Sequence, residues 1–186
     1  MQVSNTVNGV DVDRLVGTIE HISAEPALAQ FQFRARNRWI GGAHNRSTIQ
    51  GFYGAGQEDT SRIEPFFVDA GEPEVLLGEN QAPSAGEYVL HALAACLSGT
   101  MVYHAAARGI VLDGLECTVE ADADLQGFLG LDASVRPGFQ EVRVAFKASG
   151  EFDDEQLAEL GRLTRYSPVR DIVSNPVPVT IDVARA

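Results

Sequence analysis

PSAGEYVLHALAACLSGTMVYHAAARG, Pro83 to Gly109, decides the fold of this 186-residue chain. Ser84 and Glu87 have the S-x-x-E spacing of a capping box, in which each side chain satisfies the other residue's backbone N–H. Gly109 stands where the left-handed residue after a helix belongs. Between Tyr88 and Ala107 there is no acid, lysine or arginine, only His91 and His104. A helix that is apolar on every side is either a membrane span or fully buried. Twenty such residues reach across a bilayer, but the alanine content, the two histidines and the capping box favour a core helix. One small domain rarely covers a helix on all sides, so this run favours an intertwined dimer.

Upstream, Val12, Leu15, Val16, Ile19 and Ile22 recur at helical spacing until Pro26. Phe31, Phe33, Ala35 and Trp39 then alternate with Gln32, Arg34, Arg36 and Arg38, which predicts a half-buried strand with arginines on its second face. Gly41-Gly42 predicts a turn and His44 to Phe52 the returning strand. Gly54 to Ser61 reads as a polar loop, and Arg62 to Ala70 as a third strand that Pro65 places at an edge. Downstream, alternation predicts strands over Leu115 to Asp122, Glu141 to Ala148 and Val177 to Val183. Phe152 to Arg165 is a second helix opened by Asp153, Asp154 and Glu155, which suit the positive end of its dipole. Ser167-Pro168 starts a short turn or helix. Helix, three strands, long helix, two strands, helix, strand is an α+β order.

Composition narrows the function. Fourteen basic against 26 acidic residues give a net charge of −12, which disfavours nucleic acid and anionic membrane surfaces as partners. Lys147 is the only lysine. Two cysteines do not make a disulfide scaffold. The first residues have neither a positive n-region nor an apolar h-region, so the cytoplasm is the expected compartment. There is no G-x-G-x-x-G or Walker motif. His21, His44, His91 and His104 are scattered, with no H-x-x-x-H or C-x-x-C, so neither cofactor nor metal is expected.

Cys96 is the candidate for chemistry. As a structural residue it is a small, inert hydrophobe. Three turns from the helix N-terminus it gains little from the dipole, so an activated Cys96 needs a cation from elsewhere. Arg34, Arg36, Arg38 and Arg46 of the N-terminal hairpin can supply one, or can be solvated and paired with the surplus acids. Cys117 shares the parity of Leu115 and Val119 and reads as a packed strand residue.

Glu87 to Leu97, followed by Arg108-Gly109-Ile110, resembles the central helix of the OsmC/Ohr family, the osmotically induced and organic hydroperoxide resistance proteins of bacteria. Ser167-Pro168-Val169 and Asn175-Pro176-Val177 resemble its second characteristic region. The resemblance covers roughly Ala29 to Val183, leaving residues 1–28 as an N-terminal helical extension to an OsmC-like domain over 29–186. It implies an α+β homodimer whose sheets wrap around two long buried helices. It also implies a thiol peroxidase: a cysteine at Cys96 attacks a small-molecule hydroperoxide, and a glutamate at Glu87 and an arginine support the thiolate. Arg46, near the Gly-Gly turn, is the first match for that arginine and Arg38 the second.

One departure matters. The family's second cysteine, which closes a disulfide on the first, is replaced here by Ser167. A hydroxyl cannot make a disulfide, so an external thiol must reduce the Cys96 sulfenic acid before it climbs to sulfinic acid. The pocket is expected to be apolar and to prefer alkyl peroxides to hydrogen peroxide. The alternative is a non-catalytic relative that binds an apolar small molecule in the dimer cleft. Glu87 and Cys96 are also nine residues apart, about 900° of helix and half a turn out of phase, so Glu87 cannot touch the cysteine of its own helix. It can serve the partner's cysteine across a two-fold axis, or act as the helix cap alone.

Overall fold

The structure is a computed structural model that describes residues 5–185. Its contacts form two compact units, one of Asp11–Val89 with Asn5, the other of Thr6–Val10 with Leu90 and the residues that follow.

Strands β1 (Thr6–Val7) and β2 (Val10–Asp11) pair through a turn at Asn8 and Gly9, whose φ angles of 54° and 77° suit an Asn-Gly hairpin. Helix α1 (Val12–Ala24) starts where Asp11 accepts the Arg14 N–H and stops before Pro26. None of its residues is buried within the chain.

In the first unit β3 (Arg36–Gly41), β4 (His44–Ile49) and β7 (Phe66–Ala70) form an antiparallel sheet in the order β3–β4–β7. Gly42, at φ 55°, makes the β3–β4 turn. β7 lies at the edge, as Pro65 led us to expect. The register sets Arg38 opposite Arg46, and Arg46 opposite Asp69.

Two expectations for this unit need correction. The segment from Gly54 to Ser61 is not a loop: β5 (Phe52–Gly54) and β6 (Gln57–Asp59) form a hairpin turned at Ala55 and Gly56, whose φ angles are 49° and 81°. The strand predicted around Phe31 to Trp39 is confined to β3 and is not half-buried, since Phe33 and Trp39 are 72% and 71% exposed. Alternation reports which residues share a face, not whether one chain suffices to cover that face.

Helix α2 (Ala85–Ala106) has the predicted ends. Glu87 N–H donates to Ser84 Oγ at 3.2 Å, and Ser84 N–H and Oγ–H donate to Glu87 Oε2 at 2.7 and 2.9 Å. Gly109 has φ 69°, and Ile110 N–H closes back on the Ala105 carbonyl at 3.0 Å. By length and composition α2 is apolar enough to cross a bilayer, a property that soluble core helices share. Leu93, Leu97, Met101 and Ala105 are buried in one stripe at four-residue spacing, with Ala106 buried beside its end. His91, Ala92, Ala95 and Tyr103 are exposed, so a single chain covers one face of α2 rather than all of it.

The second unit packs this stripe. β8 (Gly114–Ala123) and β9 (Phe139–Ser149) form a long antiparallel pair, with the short α3 (Leu125–Phe128) between them. α4 (Asp154–Leu163) opens on an Asp153–Gln156 capping box, and α5 (Pro168–Ser174) is capped by Ser167. Met101, Ala105, Ile110, Leu160 and Leu163 form the core, with Leu115, Phe146 and Phe152 packed against it. The predicted last strand is not formed: Val177, Val179, Ile181 and Val183 are 49–93% exposed and pair with no strand. Their alternation is present, but no edge within the described residues receives it.

Asn8 ties the N-terminal segment into the second unit. Its Nδ2 donates to the Ile110 carbonyl at 2.9 Å, and its Oδ1 accepts the Leu112 N–H at 2.8 Å. This side chain thus stands in for a neighbouring strand. Replacing Asn8 by Gly, which tolerates the left-handed backbone, isolates the two bonds. We expect a loss of about 2 kcal/mol, two net hydrogen bonds, seen as a fall in Tm of roughly 4–8 °C. An unchanged Tm in scanning calorimetry rules the clip out as a stabilising contact.

Candidate functional site

Cys96 lies in the second unit, on α2 between the buried Leu93 and Leu97. The residue is half-buried, and its one side-chain hydrogen-bond partner among the described residues is Ser167, whose Oγ–H donates to Sγ at 3.2 Å. Ser167 is 1% exposed. Its position follows from its local sequence: a cap-type residue followed by proline is the start signal of a helix. Ser167 Oγ accepts the Arg170 N–H at 3.2 Å, while its own N–H closes on the Thr164 carbonyl at 3.1 Å. The hydroxyl is therefore held on both sides, and its proton points to the sulfur.

The same unit holds a cavity of about 350 Å³, lined mainly by Leu93, Leu97, Val142, Val144 and Phe146, with Arg170 among its polar residues; neither Cys96 nor Ser167 lines it. His104 stacks on Tyr166 at 4.5 Å, and burial, with Arg108 and Arg165 nearby, pushes its pKa down. Cys117 is half-buried on β8, and burial pushes its thiol up, against a smaller opposing effect of a hydrogen bond with Ser98. Both features disfavour it as a nucleophile. Both cysteines are free.

The other expected site residues lie in the first unit. Arg46 grips Asp69 with two parallel bonds, Nε to Oδ1 at 2.8 Å and Nη2 to Oδ2 at 2.9 Å. His44 Nε2 reaches the same Oδ1 at 3.0 Å, and Tyr88 Oη donates to the Asp69 carbonyl at 2.7 Å. The Arg46 bonds, then the His44 bond, hold the Asp69 carboxyl at about 2, below the usual carboxylate range. Arg38 shares the sheet face with Arg46 but has no hydrogen-bond or ion-pair partner among the described residues.

The carboxylate that orients Arg46 within the chain is thus Asp69. Glu87 is engaged at the helix cap, and its bonds from the Ser84 backbone and then the Ser84 hydroxyl lower its pKa. Asp69 and His44 lie outside the expected site residues, whereas Ser167 stands where the resemblance puts the family's second cysteine, the one that closes on the first. The signals for Ser167 are that resemblance and its cap-plus-proline pattern; for Asp69 and His44 the signal is the strand register. Among the described residues no group of three or more His, Cys, Asp or Glu side chains is placed to hold a metal ion.

Comparison with known proteins follows from this geometry. Residues 78–182 match the family model described as OsmC-like protein. An OsmC-like protein from Mycoplasma pneumoniae superposes with a TM-score of 0.60 at 12% identity, over 78% of this chain and 89% of that one. An organic hydroperoxide resistance protein from Legionella pneumophila gives 0.53 at 18%, over 76% and 89%. An OsmC-like protein of unknown function from Vibrio cholerae gives 0.51 at 12%, over 75% and 92%. At these identities the likeness establishes the fold alone. No curated protein sequence matches the chain.

Proposed function

The chain belongs to the OsmC-like protein family, and from that premise we propose that it is a thiol-dependent peroxidase that reduces organic hydroperoxides through Cys96. The observation that carries this is the Cys96–Ser167 pair: a sulfur on the central helix with a buried hydroxyl donor 3.2 Å away. An apolar cavity in the same unit, lined by the Leu93 and Leu97 that flank Cys96 on α2, favours an alkyl substrate.

The chemistry needs few groups. The Cys96 thiolate attacks one peroxide oxygen and the O–O bond breaks. The other oxygen leaves as alkoxide, takes a proton and departs as the alcohol. Sulfur is oxidised to sulfenic acid. An external thiol attacks that sulfur, releasing water and forming a mixed disulfide. A second thiol displaces Cys96, which returns reduced while the two external thiols leave as a disulfide. The cytoplasm, rich in small thiols, is the compartment that suits this cycle.

A homodimer is part of the proposal. The exposed face of α2, the aromatic residues of the first unit and the unpaired C-terminal segment are surfaces that a second copy covers. In that dimer Glu87 and Arg46, or Arg38, of one subunit serve Cys96 of the other.

The test is intact mass of the reduced protein after a slight excess of cumene hydroperoxide, with and without a sulfenic acid trap, beside Cys96→Ser. We expect one trapped sulfenic acid on the wild type and none on the variant. Cumene hydroperoxide should also outpace hydrogen peroxide about tenfold, the effect of burying roughly 60 Å² of apolar surface. If Cys96 stays reduced as long as a free thiol in solution, the peroxidase assignment fails. The reading that then takes its place is a non-catalytic relative that binds an apolar small molecule in the dimer cleft.

A further inference from the structure

We infer that Ser167 is a positioning residue for the Cys96 sulfur: its buried hydroxyl donates to Sγ, fixes the side chain and stabilises negative charge on it. Capping α5 requires only an acceptor, and asparagine or aspartate serves as well as serine. Here that acceptor duty falls to an Oγ lone pair, which takes the Arg170 N–H. The hydroxyl still has its proton to place. At 1% exposure no bulk water competes for it, and Cys96 Sγ is the side-chain partner it meets. A buried hydroxyl must be satisfied in this way. Thiol and thiolate make unequal use of the contact. A thiol can donate to Oγ or accept from it, whereas a thiolate can only accept, and a bond to an ionised acceptor is about twice as strong as a neutral one. The contact therefore favours the charged sulfur. It also acts within one chain, independently of any arginine or glutamate brought by a second subunit.

The same geometry explains how the chain differs chemically from a dithiol relative. Ser167 is near enough to act on the sulfur but has no thiol with which to reduce it. The sulfenic acid is consequently left for a small external thiol. For peroxide rates this inference rests on the peroxidase assignment; for thiol reactivity and proximity it does not.

Three variants in a Cys117→Ala background test it. Ser167→Ala removes donor and cap together. Ser167→Thr keeps both. Ser167→Cys replaces the hydroxyl by a thiol. We expect Ser167→Ala to react with iodoacetamide at neutral pH about tenfold more slowly, with its pH profile displaced upward, and Ser167→Thr to recover most of the rate. Thermal unfolding separates this from loss of the cap, because destabilisation alone leaves the pH profile in place. In Ser167→Cys, diamide should take two electrons and two protons from the pair and leave a disulfide between residues 96 and 167. The mass falls by two hydrogens, and the linked peptides are recovered together.

An alkylation profile unchanged in Ser167→Ala overturns the inference. So does the absence of a 96–167 disulfide in a folded Ser167→Cys protein. If the wild type is inert to cumene hydroperoxide while the profile still shifts and the disulfide still forms, the positioning role stands and the peroxidase assignment alone falls.

Discussion

Replacing Arg46 by Met is expected to slow cumene hydroperoxide reduction about a hundredfold, the scale of losing one positioned charge donor from an active site. Replacing Arg38 by Met is expected to change it by less than about threefold, the scale of a flexible, solvated surface charge. Cys96 sits too far along α2 for the helix dipole to hold a thiolate, and in the proposed mechanism an arginine supplies the charge. The two arginines face each other across the β3–β4 ladder and differ in how they are held. Arg46 is locked by two parallel bonds to Asp69, with His44 bracing the same carboxylate. Arg38 has no such partner among the described residues, so its guanidinium must be ordered again at every turnover.

Asp69→Asn gives the intermediate case. It keeps the Arg46 charge but removes the paired carboxylate, and we expect roughly a tenfold loss. The sign of the pH dependence follows from the same pair. The Asp69 carboxyl is depressed to about 2, so its contribution to stability is present above the ordinary carboxylate range and is lost only as pH falls towards 2. Arg46 consequently stays clamped across the whole neutral range, and the pH–rate profile between 5 and 9 should be the same in shape for wild type and Asp69→Asn. Steady-state rates across that range, with circular dichroism as a folding control, check all three variants. A large loss in Arg38→Met with little in Arg46→Met reverses the assignment of the two arginines.

Local signals were legible where the chemistry that sets them is local. The α2 boundaries follow from Ser84, Glu87 and Gly109, all within reach of their own helix end, and the structure places each in that role. The β3–β4 hairpin follows from Gly41-Gly42 in the same way. What escaped depends on partners distant in sequence. Ser167 and Cys96 are separated by 71 residues, and only the resemblance to the family's two-cysteine site, not any local pattern, says that they meet. Arg46 and Asp69 are 23 residues apart and meet only because the β4–β7 register sets them opposite each other. The β5–β6 hairpin was hidden because its strands are three residues each, too short for alternation to register. The C-terminal segment is the converse. Val177 to Val183 alternates as a strand does, yet strand formation needs an edge to bind, and alternation says nothing of whether the same chain provides one.

A mixture of Cys96→Ser and Glu87→Gln proteins, unfolded together and refolded, is expected to recover about a quarter of wild-type activity although each parent is nearly inactive. Random pairing makes half of the dimers mixed, and each mixed dimer carries one intact site of two. The reason lies in α2. It is continuous from Ala85 to Ala106, so the nine residues between Glu87 and Cys96 turn about 900° and leave the two side chains on opposite sides of one helix. A glutamate so placed can act on a cysteine only across a subunit boundary. Gln is the right substitution because a capping box accepts glutamine as readily as glutamate, so Glu87→Gln removes the charge without opening the helix end at Ser84. In the mixed dimer one site combines Cys96 of the second protein with Glu87 of the first, both native, while the other site has lost both. If Glu87 serves only the cap, Glu87→Gln alone keeps near-normal activity and the mixture adds nothing. If Glu87 serves the cysteine of its own chain, every site in the mixture lacks one residue and activity stays at the level of the parents. Recovery to about a quarter, with size-exclusion chromatography showing dimers throughout, is the outcome that only a shared site produces.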